Sequence, residues 1–221
     1  GEKNHMDYRL IARKMLNLSG ERTLIGGLVP PGTSHTNGLI GFAFEDRSVL
    51  VIASALFSSI PFDFFIKVMG KTNLYEDNAG KMPIIISQHK TCLCIRSLML
   101  NCLTRQYSDL WKNQFLQEFT KVKWTKNDKR LSNEQFTSLS DEWSWDTPLR
   151  TDYERRQALI EIDVLTSMEL GITLDQLKTL YRIQFPVVQA YENDTWYDQN
   201  GRIVFTTNRS LTDIGYNRSE W

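Results

Sequence analysis

Apolar and polar positions along this chain change period several times, and each change marks an element. Tyr8-Arg-Leu-Ile-Ala-Arg-Lys-Met15 alternates loosely, with Arg9 and Arg13 on one face, and predicts a half-buried strand. Thr23 to Val29 is apolar with two glycines, which predicts a buried strand approached closely by other backbone. Pro30-Pro31-Gly32 then forces a turn, because neither proline donates a ladder bond and glycine tolerates positive φ. Leu39 to Phe44 predicts a third strand, and the three together predict a small antiparallel sheet. From Asp46-Arg-Ser-Val49 the apolar residues surround a helix running to about Met69, with a bend at Pro61. A helix apolar on every side has to pack on the sheet with one flank and on another element with the other.

The second half has mostly helical period. Gly70 to Gly80 is a polar loop, and Lys81-Met-Pro-Ile-Ile-Ile86 a short strand or extended segment. Leu93, Leu98, Leu100, Leu103, Tyr107, Leu110, Trp111 and Phe115 recur at helical spacing, so Cys92 to Phe119 is a long helix or a helical pair. Lys121 to Arg130 is basic and irregular. Thr137 to Arg150 is a loop that pins Trp143 and Trp145 to a neighbouring surface. A helix from Thr151 through Leu170 ends at Gly171, and Thr173-Leu-Asp-Gln176 is a capping box opening another, Leu174 to Phe185. Pro186 restarts or kinks it, and Tyr191 closes the helical stretch. Trp196 to Phe205 reads as a hairpin about Asn200-Gly201. The predicted fold class is therefore α+β. A small N-terminal sheet packs on a long helix (residues 1–90), and a mainly helical part ending in a β-hairpin follows (residues 91–221).

Composition narrows the chemistry. The 221 residues carry 26 basic and 26 acidic side chains, so the whole-chain field attracts no polyanion and nucleic-acid binding requires a local basic face. Cys92, Cys94 and Cys102 form neither a disulfide framework nor a zinc set; buried helical thiols in a reducing, cytoplasmic compartment are the reading. The longest apolar run, Val49 to Ile60, is too short to span a bilayer and is interrupted by serines, so no membrane is expected. The N-terminus has no signal-peptide character, and the abrupt ends suggest a piece of a longer chain.

Several segments, in order, resemble the C-terminal target-recognition region of TaqI-type adenine-specific DNA methyltransferases of restriction–modification and phage-defence systems. They are Tyr8-Arg-Leu-Ile-Ala-Arg13, Glu21-Arg-Thr-Leu-Ile25 leading to Pro30-Pro31-Gly32, the Asn37 strand, Leu56-Phe-Ser-Ser-Ile-Pro-Phe-Asp-Phe-Phe65 and Lys81-Met-Pro-Ile84. Met82 and Ile85 stand where the family's closing segment has leucine and its second proline. Arg155 to Asp163, Leu180 to Pro186 and Tyr191 to Asp198 are similar to the tail of large single-chain members. The resemblance implies sequence-specific recognition of double-stranded DNA, beside a catalytic methyltransferase domain of the same parent chain that binds S-adenosylmethionine. This chain has neither the glycine-rich cofactor turn nor the Asn-Pro-Pro-Tyr-type motif that holds a flipped adenine, so it carries no catalytic residues and no cofactor of its own.

On that resemblance the DNA-facing candidates are Arg9, Arg13, Lys14, Arg22, His35, Asn37, Lys67, Lys71, Thr72 and Asn73. Cations would fix register on phosphates, and Arg, Asn and Gln side chains would read base edges. Each has an ordinary alternative as a solvated side chain. Arg22 has a rival role in pairing with Asp46 or Glu45, and Asn37 beside Gly38 a rival role in the turn. Lys121 to Arg130 with Trp124 has the texture of a backbone-and-stacking segment, or of a solvated connection. The acidic stretch from Glu134 to Glu154 should face away from DNA. Glu161-Ile-Asp163 lacks a nuclease lysine, and Ser58-Ser59 lacks a nucleophile-elbow context. A protein-interaction module of a defence complex, docking through the Trp loop and the hairpin, is the alternative from another class.

Overall fold

Three short strands open the protein: β1 (Arg9–Arg13), β2 (Gly26–Val29) and β3 (Leu39–Phe42), in the antiparallel order β2-β1-β3. The computed structural model describes residues 4–85 and 88–206, and its class is α+β as the sequence predicts. Leu10 lies opposite Leu28 and Phe42, and Ile11 opposite Gly27 and Gly41. Tyr8, Leu10, Ala12 and Leu28 face the core, while Arg9, Ile11 and Arg13 alternate onto the other face. Gly26 is the close approach foreseen in the second strand, since a Cβ there would lie 2.9 Å from the Ile11 carbonyl oxygen. That strand starts later than Thr23 because the Asp63 carboxylate takes the Thr23 N–H, at 3.0 Å. Gly32 turns the corner with φ +78°.

The predicted long helix is two helices, α1 (Arg47–Phe57) and α2 (Ile60–Val68), bent by 71°. The break falls at Ser58-Ser59, just before the proline. Ser59 is extended and its hydroxyl accepts the Phe62 N–H, so Pro61 sits in a first turn where no N–H is required. Asp46 caps α1 by accepting the Ser48 N–H at 2.7 Å. Every residue from Leu50 to Phe57 is buried, with the sheet on one flank of α1 and α4 (Lys90–Asn101) on the other. A continuous buried cluster accordingly runs from Tyr8 to Ile162, across the position where a module boundary at 90/91 was expected.

The remaining elements are α3 (Glu76–Ala79), α5 (Ser108–Gln114), α6 (Glu134–Thr137), α7 (Asp152–Glu169), α8 (Leu174–Gln184) and α9 (Pro186–Asp194). A hairpin of β4 (Trp196–Tyr197) and β5 (Ile203–Phe205) follows. Cys92 to Phe119 resolves as a helical pair parted at Cys102. Capping boxes at Thr151/Glu154 and Thr173/Gln176 start α7 and α8, and Gly171 (φ +68°) separates them. Proline opens α9, which passes Tyr191 by three residues. Lys81 to Ile85 forms no strand, and Ile86 lies outside the described residues, as do Gly1 and Trp221. No single helix among the described residues is long and apolar enough to cross a membrane; α1 and α2 pass such a test only jointly, across their bend.

Candidate nucleic-acid interface

The face of the sheet turned from the core is poor in side chains. Ile11, in its middle, is flanked by Gly27 and Gly41, and the two arginines of β1 stand two residues from it on either side. Arg9 is only 6 % exposed, because the Pro30–Asn37 turn folds over it and the Thr33 carbonyl accepts from its guanidinium. Its Nε has no partner. Arg13 is half-buried; its Nη2 donates to the Arg22 carbonyl at 3.4 Å and its Nε is likewise unpartnered. Neither arginine has a carboxylate within ion-pair distance among the described residues. A guanidinium offers five N–H donors, so most of this capacity is unused. The exposed His35 ring lies over Gly41, its Nε2 3.0 Å from where a Cβ would stand.

A second group gathers where β1 ends. Lys14 is held between two neighbouring segments, its N–H donating to Gly38 and its carbonyl accepting from Leu74. Its ammonium donates to Asn37 Oδ1 at 2.9 Å and lies 5.3 Å from the Tyr75 ring centroid. Asn73 bridges to Met15, and Thr72 accepts the Leu16 N–H. Lys14, Asn37, Thr72 and Asn73 therefore share one end of the sheet, with Lys71 exposed beside them. Asn37 stands in the turn with its side chain exposed.

Two of the candidates are drawn inward. Arg22 pairs with neither Asp46 nor Glu45: its Nε meets Asp63 at 2.5 Å and its Nη2 the Ser58 carbonyl at 2.7 Å, which ties the start of β2 to the α1–α2 bend. Lys67 donates to the Gln184 carbonyl at 2.8 Å and lies over the Phe185 ring, joining α2 to the end of α8. Sequence distance hid both partners, which lie 41 and 117 residues away along the chain.

The other sequence features are structural. Trp124 is buried and meets Phe136 edge to face, so it has no free ring to stack on a base. Glu161 receives Arg96 Nε at 2.6 Å, the Thr125 N–H and hydroxyl, and Gln157. Burial pushes its carboxyl up, but Arg96 and these donors outweigh burial and hold it low. Asp163 is enclosed and accepts the Ile60 N–H at 2.7 Å; burial pushes its carboxyl up to about 6. Cys92, Cys94 and Cys102 are free, and burial lifts the Cys94 thiol to about 12. Among the described residues, no three His, Cys, Asp or Glu side chains are grouped to hold a metal. The chain matches no family model, no curated protein and no solved structure.

Proposed function

We propose that this chain recognises double-stranded DNA through its N-terminal sheet, as the target-recognition part of a site-specific adenine-N6 methyltransferase. A separate catalytic domain of the parent chain would bind S-adenosylmethionine. The observation that carries the reading is the outer sheet face, where Arg9 and Arg13 stand beside Gly27 and Gly41 without carboxylate partners among the described residues. Each guanidinium has one carbonyl acceptor and an unpartnered buried Nε; a buried donor without an acceptor is costly, and phosphate oxygens supply both acceptors and charge. Lys14, Asn37, Thr72 and Asn73 at the end of the same sheet combine a cation with amides of the kind that read adenine. The resemblance in the order of segments supports the enzyme class.

The test is binding of the chain to duplex DNA across a salt series, beside Arg9→Ala/Arg13→Ala and Asn37→Ala/Asn73→Ala. Affinity should fall steeply with salt, and loss of the arginines should flatten that slope by about 2, near 0.9 per phosphate contact. Loss of the amides should leave the slope and blunt discrimination between sequences. No binding at low salt would remove the reading. Trp145 favours the alternative of a protein-docking module, being 66 % exposed and covered only by the Arg150 guanidinium. Trp143 does not, because its indole N–H is pinned to the Cys102 carbonyl at 2.8 Å.

A further inference from the structure

A cleft of about 650 Å³ separates the basic loop from the terminal hairpin, walled by Lys129 and Arg130 on one side and Tyr197, Gln199 and Asn200 on the other. Its two carboxylates are already spent. Asp128 accepts Arg130 Nε and Nη2 at 2.9 and 2.8 Å and the Tyr153 hydroxyl at 2.7 Å. The Arg130 hydrogen bonds hold its carboxyl well below the usual range. Asp198 accepts the backbone N–H groups of Asn200 and Arg202 and closes the hairpin turn. Arg130 in turn lies 3.8 Å from the Tyr153 ring centroid, and Tyr153 meets Tyr197 edge to face. The Lys129 ammonium and the side-chain amide of Gln199 have no partner among the described residues, whereas the Asn200 side chain is engaged with Asp198, so the cleft keeps two idle donor groups.

The approach to the cleft continues the pattern. Lys121 closes a short 3-10 turn (Gln117–Lys121), and from Val122 the chain is extended, with Lys123 and Thr125 exposed while Val122 and Trp124 turn inward. In such a chain two residues apart means about 7 Å on one side. The loop is held in this shape from below. Trp124 is buried with its N–H on Asn133, and Thr125 donates twice to Glu161, whose other oxygen binds Arg96. Lysine stems on a fixed backbone lose less freedom on engaging a ligand than stems on a mobile loop. Exposed cations at Lys121, Lys123 and Lys129, spread along one loop, match a polymer with several negative charges better than a single small anion.

We propose that the Lys121–Arg130 loop and the hairpin cleft bind the sugar–phosphate backbone of nucleic acid, as a contact separate from the sheet. This rests on the DNA reading above and adds a second site to it. Labelled duplex and single-stranded oligonucleotides are titrated by fluorescence anisotropy across salt with three variants of the chain. One is Lys121→Gln/Lys123→Gln/Lys129→Gln. The second, Lys81→Gln/Lys112→Gln/Lys178→Gln, removes the same charge from exposed lysines elsewhere. The third is Arg9→Ala/Arg13→Ala. The loop variant should bind about 10- to 100-fold more weakly and lose roughly 2 to 3 from its salt slope, while the control triple stays near the parent. The duplex and single-strand arms say which form the cleft takes. Equal losses in both lysine triples would reduce the effect to net charge and overturn the proposal, as would a loop variant that binds like the parent. A loop effect without an Arg9/Arg13 effect would uphold this site and remove the sheet reading. A parent that binds neither oligonucleotide would remove both.

Discussion

Replacing Asp163 with asparagine isolates one buried charge and its effect on stability. Asp163 sits on α7 with its carboxylate against the N-terminus of α2, accepting the Ile60 N–H at 2.7 Å. The charged groups facing it are Arg22, Arg156 and Asp63, and Arg22 is already committed to Asp63. Burial wins over Arg22 and raises its pKa from 3.8 to about 6. A shift of that size is about 3 kcal/mol between the two protonation states. The folded state thus binds the proton more tightly than the unfolded chain, so stability rises as pH falls through the folded pKa and the gain ends below the unfolded value. Between pH 7.5 and 5 the gain from this group is about 1.4 kcal/mol, which for a chain of this size raises Tm by about 3–5 °C. Carboxyls held low in the fold, such as Asp46 and Asp198, lose stability only further down, in the ordinary carboxylate range. Differential scanning fluorimetry at several pH values should therefore show Tm rising toward pH 5 in the parent. Asp163→Asn keeps an oxygen for the Ile60 N–H and should remove most of that rise, any remainder of the same sign belonging to Asp63, also raised by burial. A variant that keeps the full parental rise would refute the assignment.

Other outcomes follow from the same packing. Glu161→Leu leaves the Arg96 guanidinium buried without its carboxylate and should cost about 3–5 kcal/mol in urea denaturation; Arg96→Met/Glu161→Leu together should recover much of that. Gly26→Ala drives a methyl against the Ile11 carbonyl and should cost about 1–3 kcal/mol, with the outward-facing Gly38→Ala as the milder comparison. A thiol reagent should modify Cys92 readily in the native chain, while Cys94 and Cys102, buried and with raised pKa values, should react only on unfolding.

Local chemistry made most elements legible. The Asn200-Gly201 hairpin, the capping boxes at Thr151 and Thr173, and the Pro-Pro-Gly corner each rest on residues that dictate their own backbone, and each lies where the sequence puts it. Legibility failed where a distant partner decided the matter. The α1–α2 bend looks from the sequence like a kinked helix. It is a full break because the Ser59 cap, the Ile60 N–H on Asp163 and the Arg22–Asp63 pair each stabilise a new helix start. The apolar surround of α1 announced two packing partners without naming α4 as the second. One buried cluster, with residues from both sides of position 90, runs through that contact.

The candidate residues divide by the same rule. Arg22 and Lys67 carry charge that the fold consumes, and no local pattern separates them from Arg13 or Lys14 before their partners are known. What separates them is the place of the acceptor. Asp63 and Gln184 stand on α2 and α8, which pack on one another and on α7, whereas the outer face meets Gly27 and Gly41, which offer no side-chain acceptor. The strand glycines are thus the sequence signal that bears most directly on the site. They mark where Arg9 and Arg13 alternate onto a face that offers them backbone carbonyls but, among the described residues, no carboxylate. The basic loop obeys the rule in reverse. Asp128 pairs with Arg130 and lies 3.9 Å from Lys126, whereas Lys121, Lys123 and Lys129 have no carboxylate within ion-pair distance among the described residues, a division that counting basic residues alone would miss.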